Sequence, residues 1–425
     1  MSTHIVEVLQ SRGLVDAITS DALLEAAKKP LRVYCGFDPT SDSLHLGNLQ
    51  AIIGLAWFQR CGHTPVSIVG GATGMIGDPS GKQQERQLLD EATLRINEQG
   101  IQKNIETVLA TKPGLPTPLF LNNYDWFKTF TFLDFLRDVG KHFRVGVMLG
   151  KDSVRARMES EEGMSFTEFS YQLLQGYDFC HLYKNYGVQV QIGGSDQWGN
   201  ITAGIEYVRK TMGHSVFGLT MPLLTKSDGQ KFGKSEKGAI WLSSEKLSPY
   251  EFYQYLFRTP DSDVITLLKR LTFIELGVIR ELEHQMKEPG YVPNSAQKML
   301  AEAITELVHG SDGLQKAVHA TAGVLPGKVA SLDAATLGAL IKEVPSATLS
   351  KDDVYDQKLI DVIVKAGFSE SKGDVRRLIR NGGVWLNNQK ISDENCKISP
   401  DDLIEGQFLL ISLGKKHKSV VEVRT

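Results

Sequence analysis

The chain has 425 residues, enough for two to four domains of about 100–200 residues each. Hydrophobic residues at 41% and charged residues at 23% exclude a disordered or fibrous chain. Lys and Arg number 47 against 50 Asp and Glu, a formal net charge of −3, which excludes a globally basic nucleic-acid coat but leaves room for a local basic patch.

Glu7, Arg12, Asp16 and Asp21 interrupt the apolar residues of the N-terminus, so it reads as an amphipathic helix rather than a signal peptide. The longest apolar run, 51–58, is too short to span a bilayer. No membrane partner is expected. Cys35, Cys61, Cys180 and Cys396 are scattered, which fits a reducing compartment and offers no zinc pattern. A soluble, cytoplasmic protein without a protein-held metal is therefore expected.

Residues 31–35 read as a short buried strand, followed by a Gly/Asp/Pro/Thr/Ser loop. Apolar residues then recur at helical spacing from His45 to about Arg60, and 65–69 is a second apolar run closed by Gly70-Gly71. Strand, helix, strand predicts an α/β fold with a parallel sheet that binds ligands at the carboxyl ends of its strands. Further strands are expected at 118–122 and 188–192, with helices over 131–143 and 168–182 between them. Beyond about Pro249 the strand signals stop. Residues 250–273 and 296–308 have helical patterns, and 321–353 reads as a weakly structured connector. The segment 356–425 carries 12 Lys and Arg against 10 Asp and Glu, a change of sign that marks a separate unit.

Two stretches could carry chemistry. Pro39-Thr40-Ser41-Asp42-Ser43-Leu44-His45-Leu46-Gly47-Asn48 lies between the first strand and the first helix. A helix N-terminus suits phosphate, and His45 could donate to phosphate oxygens. Alone, the stretch reads more readily as a capping loop whose His is incidental. Lys231-Phe232-Gly233-Lys234-Ser235 is a glycine-bearing, positive loop that could close over a polyphosphate. Alone, a lysine run of this kind is more often a solvated surface loop.

Together, H-x-G-N after the first strand and K-x-x-K-S late in the same α/β domain resemble the paired signature of class I aminoacyl-tRNA synthetases. Val33-Tyr34-Cys35-Gly36-Phe37-Asp38-Pro39-Thr40, Gly70-Gly71-Ala72-Thr73-Gly74, Gly77-Asp78-Pro79-Ser80, Tyr171-Gln172-Leu173-Leu174-Gln175-Gly176-Tyr177-Asp178 and Gly193-Gly194-Ser195-Asp196-Gln197-Trp198-Gly199-Asn200 are similar to the bacterial tyrosyl-tRNA synthetases. The similarity runs through the tail. Departures from the class pattern are Asn48 for the second His and Phe232-Gly233 for Met-Ser.

The resemblance implies a Rossmann-like catalytic domain over 1–245, an α-helical tRNA domain over 246–320, a linker over 321–355 and an S4-like RNA-binding domain over 356–425. It implies two steps: L-tyrosine and ATP give tyrosyl-adenylate and pyrophosphate, and the tyrosyl group then passes to the terminal adenosine of tRNA(Tyr). Mg2+ is expected with ATP, and a homodimer is implied, with Phe130, Phe132, Phe135 and Leu136 as candidates for the interface or the core. A carboxylate nucleophile needs no general base at pH 7. Donors and cations are needed instead. Thr40, His45, Asn48, Lys231, Lys234 and Ser235 are expected to act on the phosphates and ribose. Lys82 and Arg86, on one helix face by their spacing, are further cations. Tyr34 and Asp178 are expected to read the tyrosine hydroxyl, and Asp78, Tyr171, Gln175 and Gln197 the ammonium end. Tyr171, Gln175 and Asp178 share a helix face by spacing. Gly36, Asp38, Gly47, Gly194 and Asp196 are expected around ATP. A tryptophanyl relative would lack the Tyr34/Asp178 pair, small adenylyltransferases would lack the tail, and an inactive RNA-binding paralogue stays a competing reading.

The tail reads independently as RNA-binding. Lys372, Arg376 and Arg380 form a stripe with Arg377 beside it, opposite Val375, Leu378 and Ile379. Gly382-Gly383 ends that helix, and a turn at 387–389 joins two strands. Lys415, Lys416 and Lys418 form a second basic cluster.

Overall fold

The structure, a computed structural model, describes residues 4–80, 89–109, 113–159, 163–227, 229, 232–235, 238–323, 333–341, 344–414 and 417–424. Lys82, Arg86, Lys231, Lys415 and Lys416 lie outside these residues. The chain divides into two compact units. One comprises 1–246 and 259–308, the other 247–258 and 309–425.

Among the described residues the first unit carries strands β1 (Ala17–Ile18), β2 (Arg32–Phe37), β3 (Thr64–Val69), β4 (Leu119–Asn122), β5 (Val190–Gly194) and β6 (Phe217–Met221) in one sheet, ordered β1-β6-β5-β2-β3-β4. All neighbours are parallel except the β1–β6 edge pair. Strand β3 is buried on both faces from Pro65 to Val69, which is why the stretch is mostly apolar, with Ser67 the one polar residue, rather than alternating. Chain order runs outward from β2 through β3 and β4 on one side and through β5 and β6 on the other. The crevice therefore opens at the carboxyl ends of β2 and β5, where the order reverses. A short pair, β7 (Lys234–Ser235) with β8 (Gly238–Ala239), follows.

The expected strands are present with shifted ends, and β1 and β6 are additions. The helix expected over 131–143 is shorter, Phe132–Asp138, followed by a single 3₁₀ turn. Pro260 divides the pattern 250–273 into the helices Pro249–Phe257 and Asp261–Leu271. Gly310, at φ 71° and ψ 178°, interrupts the helix Ser295–Gly323. The expected boundaries at 246 and 320 differ from the division into units, because 259–308 clusters with the α/β part.

The second unit carries a sheet ordered β11-β10-β12-β13-β9, built from β9 (Ser346–Ser350), β10 (Val384–Leu386), β11 (Gln389–Lys390), β12 (Phe408–Leu413) and β13 (His417–Arg424). The stretch 321–355, expected as a linker, instead contributes the helix Ala334–Leu340 and strand β9, which pairs in parallel with β13. Leu337 and Leu340 are buried with Tyr250, Phe408, Leu410 and Val420, so this segment is part of the core. The helix Lys372–Arg380 buries Val375 and Ile379 as its spacing requires. Asn387 and Asn388, both at positive φ, close the two-residue hairpin β10–β11.

Candidate active site

A cavity of about 460 Å³ lies at the β2/β5 crevice. Tyr34, Gly36, Asp38, Thr40, His45, Gly47, Asn48, Asp78, Tyr171, Gln175, Asp178, Gly194, Asp196 and Gln197, fourteen of the residues singled out from sequence, all line it. Its size is that of a small-molecule site.

One end is built around a buried carboxylate. Asp178 sits on the helix Phe166–Tyr186, capped at Ser165, and is 4% exposed. Its Oδ2 accepts from Asn123 Nδ2 at 3.1 Å and its Oδ1 from Trp126 Nε1 at 2.8 Å. Burial, opposed by these two donors and reinforced by the charge of Asp38, raises its carboxyl to about 7. Tyr34 on β2 is 1% exposed and packs edge-on against Phe179, with ring centroids 5.2 Å apart. Its hydroxyl has no hydrogen-bond partner among the described residues. Burial, then the charge of Asp178, pushes that phenol well above its ordinary range. A buried, unpartnered hydroxyl costs free energy, and a ligand hydroxyl between it and Asp178 would remove that cost.

A chain of hydrogen bonds connects this end to the other. Asn123 Nδ2 also donates to Thr73 Oγ1 at 3.0 Å, Thr73 donates to Asp38 Oδ1 at 2.8 Å, and Tyr171 donates to Asp38 Oδ2 at 2.9 Å. Asp38, expected beside the nucleotide, thus accepts from both Thr73 and Tyr171. Gln197 Nε2 donates to Asp78 Oδ2 at 2.7 Å and its Oε1 accepts from Gln175 Nε2 at 3.3 Å. Asn200 Nδ2 lies 3.2 Å from Gln197 Oε1. These carboxylate and amide oxygens form a set of acceptors suited to an ammonium group. Arg157 and Glu168, both almost fully buried, pair at 2.9 Å and anchor the first turn of the pocket helix.

The third wall is the loop before the helix Leu46–Arg60 together with that helix's first turn. His45 caps the helix Leu46–Arg60: its Nδ1 accepts from Gly47 N at 3.1 Å, and Asn48 Oδ1 accepts from His45 N at 3.2 Å. With Nδ1 an acceptor, the ring proton of the neutral imidazole sits on Nε2 as a donor. Asn48 uses its oxygen for the cap, which leaves its amide N–H groups as donors. Thr40 is exposed at the cavity rim. Phe232 and Trp241 also line the cavity. Gly233 has φ +86°, and a Cβ there would stand 2.7 Å from Gly47 N. This explains glycine where the class pattern has a larger residue. The side chains of Lys234 and Ser235 lie outside the described residues, as do Lys82, Arg86 and Lys231 entirely. The Cys35 thiol, also in the lining, is pushed up to about 12 by burial, so it stays protonated and is no nucleophile.

Asn123, Trp126, Thr73, Asn200 and Gln191 were not expected here. The one signal for the first two was their position just after the strand 118–122, at the carboxyl edge of the sheet. Lys372 pairs with Asp361 at 2.8 Å, Arg377 with Asp374 at 2.9 Å and Arg380 with Glu394 at 2.6 Å, while Arg376 is 4.0 Å from Glu394. All four cations are exposed. Lys418 is half-buried, and burial lowers its ammonium, so it is not the solvated charge the sequence implies. Phe132, Leu133 and Leu136 are exposed, Leu133 by 75%, whereas Phe130 and Phe135 pack against the core.

The profile of the class I tRNA synthetases (W and Y) matches residues 26–325, and that of the tyrosine–tRNA ligase SYY-like C-terminal domain matches 336–421. The chain is 58% identical over 421 residues to the tyrosine–tRNA ligase of Protochlamydia amoebophila, covering 99% of each. It is 45% identical to that of Escherichia coli, again over 99% of each. The chloroplastic/mitochondrial tyrosine–tRNA ligase of Arabidopsis thaliana is 53% identical, over 99% of this chain and 84% of its own. Among solved structures, a C-terminally truncated Aspergillus nidulans mitochondrial tyrosyl-tRNA synthetase superposes with a TM-score of 0.67 at 33% identity, over 74% of this chain and 92% of its own. With both profiles matched in their order and a tyrosine–tRNA ligase 58% identical over 99% of each chain, the chain belongs to the class I tRNA synthetases and, within them, to the tyrosine–tRNA ligases.

Proposed function

We propose that the Tyr34/Asp178 end of the cavity reads the phenol of L-tyrosine, the Tyr171–Gln175–Asp78–Gln197 end holds its ammonium, and the Thr40–His45–Asn48 wall receives ATP. The carrying observation is the buried Tyr34 hydroxyl that lacks a partner while Asp178 already receives two donors. Phenylalanine would leave that hydroxyl unpartnered, and tyrosine would not. The substrate carboxylate attacks the α-phosphorus, the bond to pyrophosphate breaks, and charge grows on the leaving oxygens. Thr40, His45 Nε2, Lys231 and Lys234 donate to those oxygens, with Lys82 and Arg86 as further cations. Asn48, with Gly36, Gly47, Gly194 and Asp196, lines the ribose and adenosine, and Ser235 belongs to the closing loop. Among the described residues no cluster of His, Cys, Asp or Glu could hold a metal ion. Mg2+ comes with ATP, held mainly by its phosphate oxygens and water.

A ribose hydroxyl of the terminal adenosine of tRNA(Tyr) then attacks the tyrosyl carbonyl, the acyl–phosphate bond breaks, and AMP leaves as the tyrosyl ester forms. The second unit holds the RNA through Lys372, Arg376, Arg377 and Arg380, aided by Lys415 and Lys416. The exposed ion pairs of the stripe are worth about 0–1 kcal/mol each, so exchanging Asp361, Asp374 or Glu394 for RNA phosphates is easy. The enzyme works as a homodimer through exposed Phe132, Leu133 and Leu136 with Val145 and Val147. It acts in the cytoplasm, where its four free cysteines suit a reducing medium. No helix of the described residues is long and apolar enough to cross a membrane. The test is the split between activation and binding. In Thr40→Ala, His45→Ala and Lys234→Ala the rate of ATP–pyrophosphate exchange falls while the tyrosine dissociation constant holds. Loss of tyrosine affinity at an unchanged exchange rate would reverse the two walls.

A further inference from the structure

The loop 39–45 carries Thr40 and His45, yet it is neither helix nor strand, and a loop free to move would waste their donors. One face of the helix Glu91–Val108 is shaped to hold it. Asn97, Gly100 and Asn104, at i, i+3 and i+7, lie on one side of that helix. Asn97, itself buried, donates from Nδ2 to the carbonyl of Pro39 at 2.9 Å. Asn104 Oδ1 accepts from Leu44 N at 2.8 Å and from Ser43 Oγ at 3.0 Å. Because a backbone N–H can only donate, the oxygen of Asn104 must face the loop. Between these two contacts the loop backbone presses onto the helix at Gly100. A Cβ at that position would stand 1.9 Å from the carbonyl oxygen of Asp42 and 2.7 Å from its carbonyl carbon. Backbone cannot swing away as a flexible side chain can, so any larger residue at 100 must displace the loop. The three contacts fall on Pro39, Asp42 and Ser43–Leu44, so they bracket Thr40 and end one residue before His45.

We propose that Asn97, Gly100 and Asn104 are positioning residues for tyrosine activation. They hold Thr40 and His45 at the distance from the leaving pyrophosphate at which their hydrogen bonds strengthen in the transition state. The inference rests on the assignment of Thr40 and His45 to the phosphates. None of the three is itself a cavity-lining residue, and the loop they hold is the one assigned to the phosphates, so tyrosine affinity should not depend on them. A displacement of about 1 Å at a catalytic group costs up to about 100-fold in rate. Gly100→Ala demands a shift of that order.

The experiment uses the whole chain. Single-turnover formation of tyrosyl-adenylate is followed by pyrophosphate release at saturating ATP and tyrosine, and the tyrosine dissociation constant is measured by equilibrium dialysis. For Gly100→Ala the expected rate loss is about 100-fold, and for Asn97→Ala and Asn104→Leu about tenfold, with tyrosine affinity within about twofold of the parent. Retained tyrosine binding shows that each variant is folded, and Asn97→Ala, which only removes atoms, serves if Gly100→Ala fails to fold. In a Thr40→Ala/His45→Ala background the added Gly100→Ala loss should shrink to under about threefold, because the groups it positions are gone. A purely structural role would keep the full loss there. Activation rates unchanged in Gly100→Ala and Asn97→Ala, or tyrosine affinity falling in parallel with rate, overturn the positioning role. If Thr40→Ala and His45→Ala themselves leave the rate unchanged, the phosphate assignment fails, and the positioning role with it.

Discussion

Tyr34→Phe tests the hydroxyl-reading end of the pocket with little collateral change. The ring packs edge-on against Phe179 and would keep that contact. The hydroxyl has no partner among the described residues, so its removal breaks no hydrogen bond of the free protein. An unpartnered buried hydroxyl costs roughly 1–3 kcal/mol, so the variant should be at least as stable as the parent. The loss appears only with substrate. One neutral hydrogen bond is worth about 0.5–1.5 kcal/mol, which lowers kcat/KM for tyrosine by about 2- to 12-fold. Phenylalanine has no hydroxyl to lose, so its kcat/KM should hold or rise, and discrimination narrows by at least the same factor. Pyrophosphate exchange with each amino acid and urea unfolding of both proteins supply the three numbers. A variant that is several kcal/mol less stable, or one with unchanged tyrosine kcat/KM, would refute the reasoning.

Other outcomes follow from the same geometry. Asp178 titrates near pH 7 in the free protein, so kcat/KM for tyrosine should decline as pH falls below about 7, when the carboxyl no longer serves as an acceptor, and Asp178→Asn should flatten that limb. The sign for stability is opposite: the folded value lies above the ordinary 3.8, so this group's contribution is fully present below about pH 4 and is lost as pH rises through 7, a trend that urea titrations of Asp178→Asn should lack. Arg157→Ala leaves Glu168 as a buried unpaired charge and should cost about 3–5 kcal/mol in urea unfolding, whereas Arg157→Met/Glu168→Leu should recover most of it. Arg376→Glu/Arg380→Glu should leave pyrophosphate exchange intact and weaken tRNA(Tyr) charging; the parent's charging should fall with salt more steeply than the variant's.

Legibility in the sequence followed the range of the interactions. The pocket helix was readable because Tyr171, Gln175 and Asp178 repeat at helical spacing, and the strand at 64–69 because burial on both faces puts apolar Pro65, Val66, Ile68 and Val69 on both sides of it. Strand β6 carries a glycine and only five residues, and its pairing with β5 is set by the sheet rather than by its own pattern. Strand β9 lies at a sheet edge with alternating exposure, so its Ser-Ala-Thr-Leu-Ser sequence resembles a loop. For the same reason a cut at Ser350 is not neutral: it strips β13 from β9 and uncovers Leu337 and Leu340. Asn123 and Trp126 were unreadable because their function is to satisfy a carboxylate more than fifty residues away in sequence.

The central claim is that this cavity selects its amino acid by the phenol hydroxyl. The direct measurement is ATP–pyrophosphate exchange by the unmodified enzyme with tyrosine, phenylalanine and tryptophan in turn. Exchange should depend on tyrosine, with phenylalanine and tryptophan at background at concentrations where tyrosine saturates. Exchange supported by phenylalanine at a rate near that of tyrosine would contradict the claim.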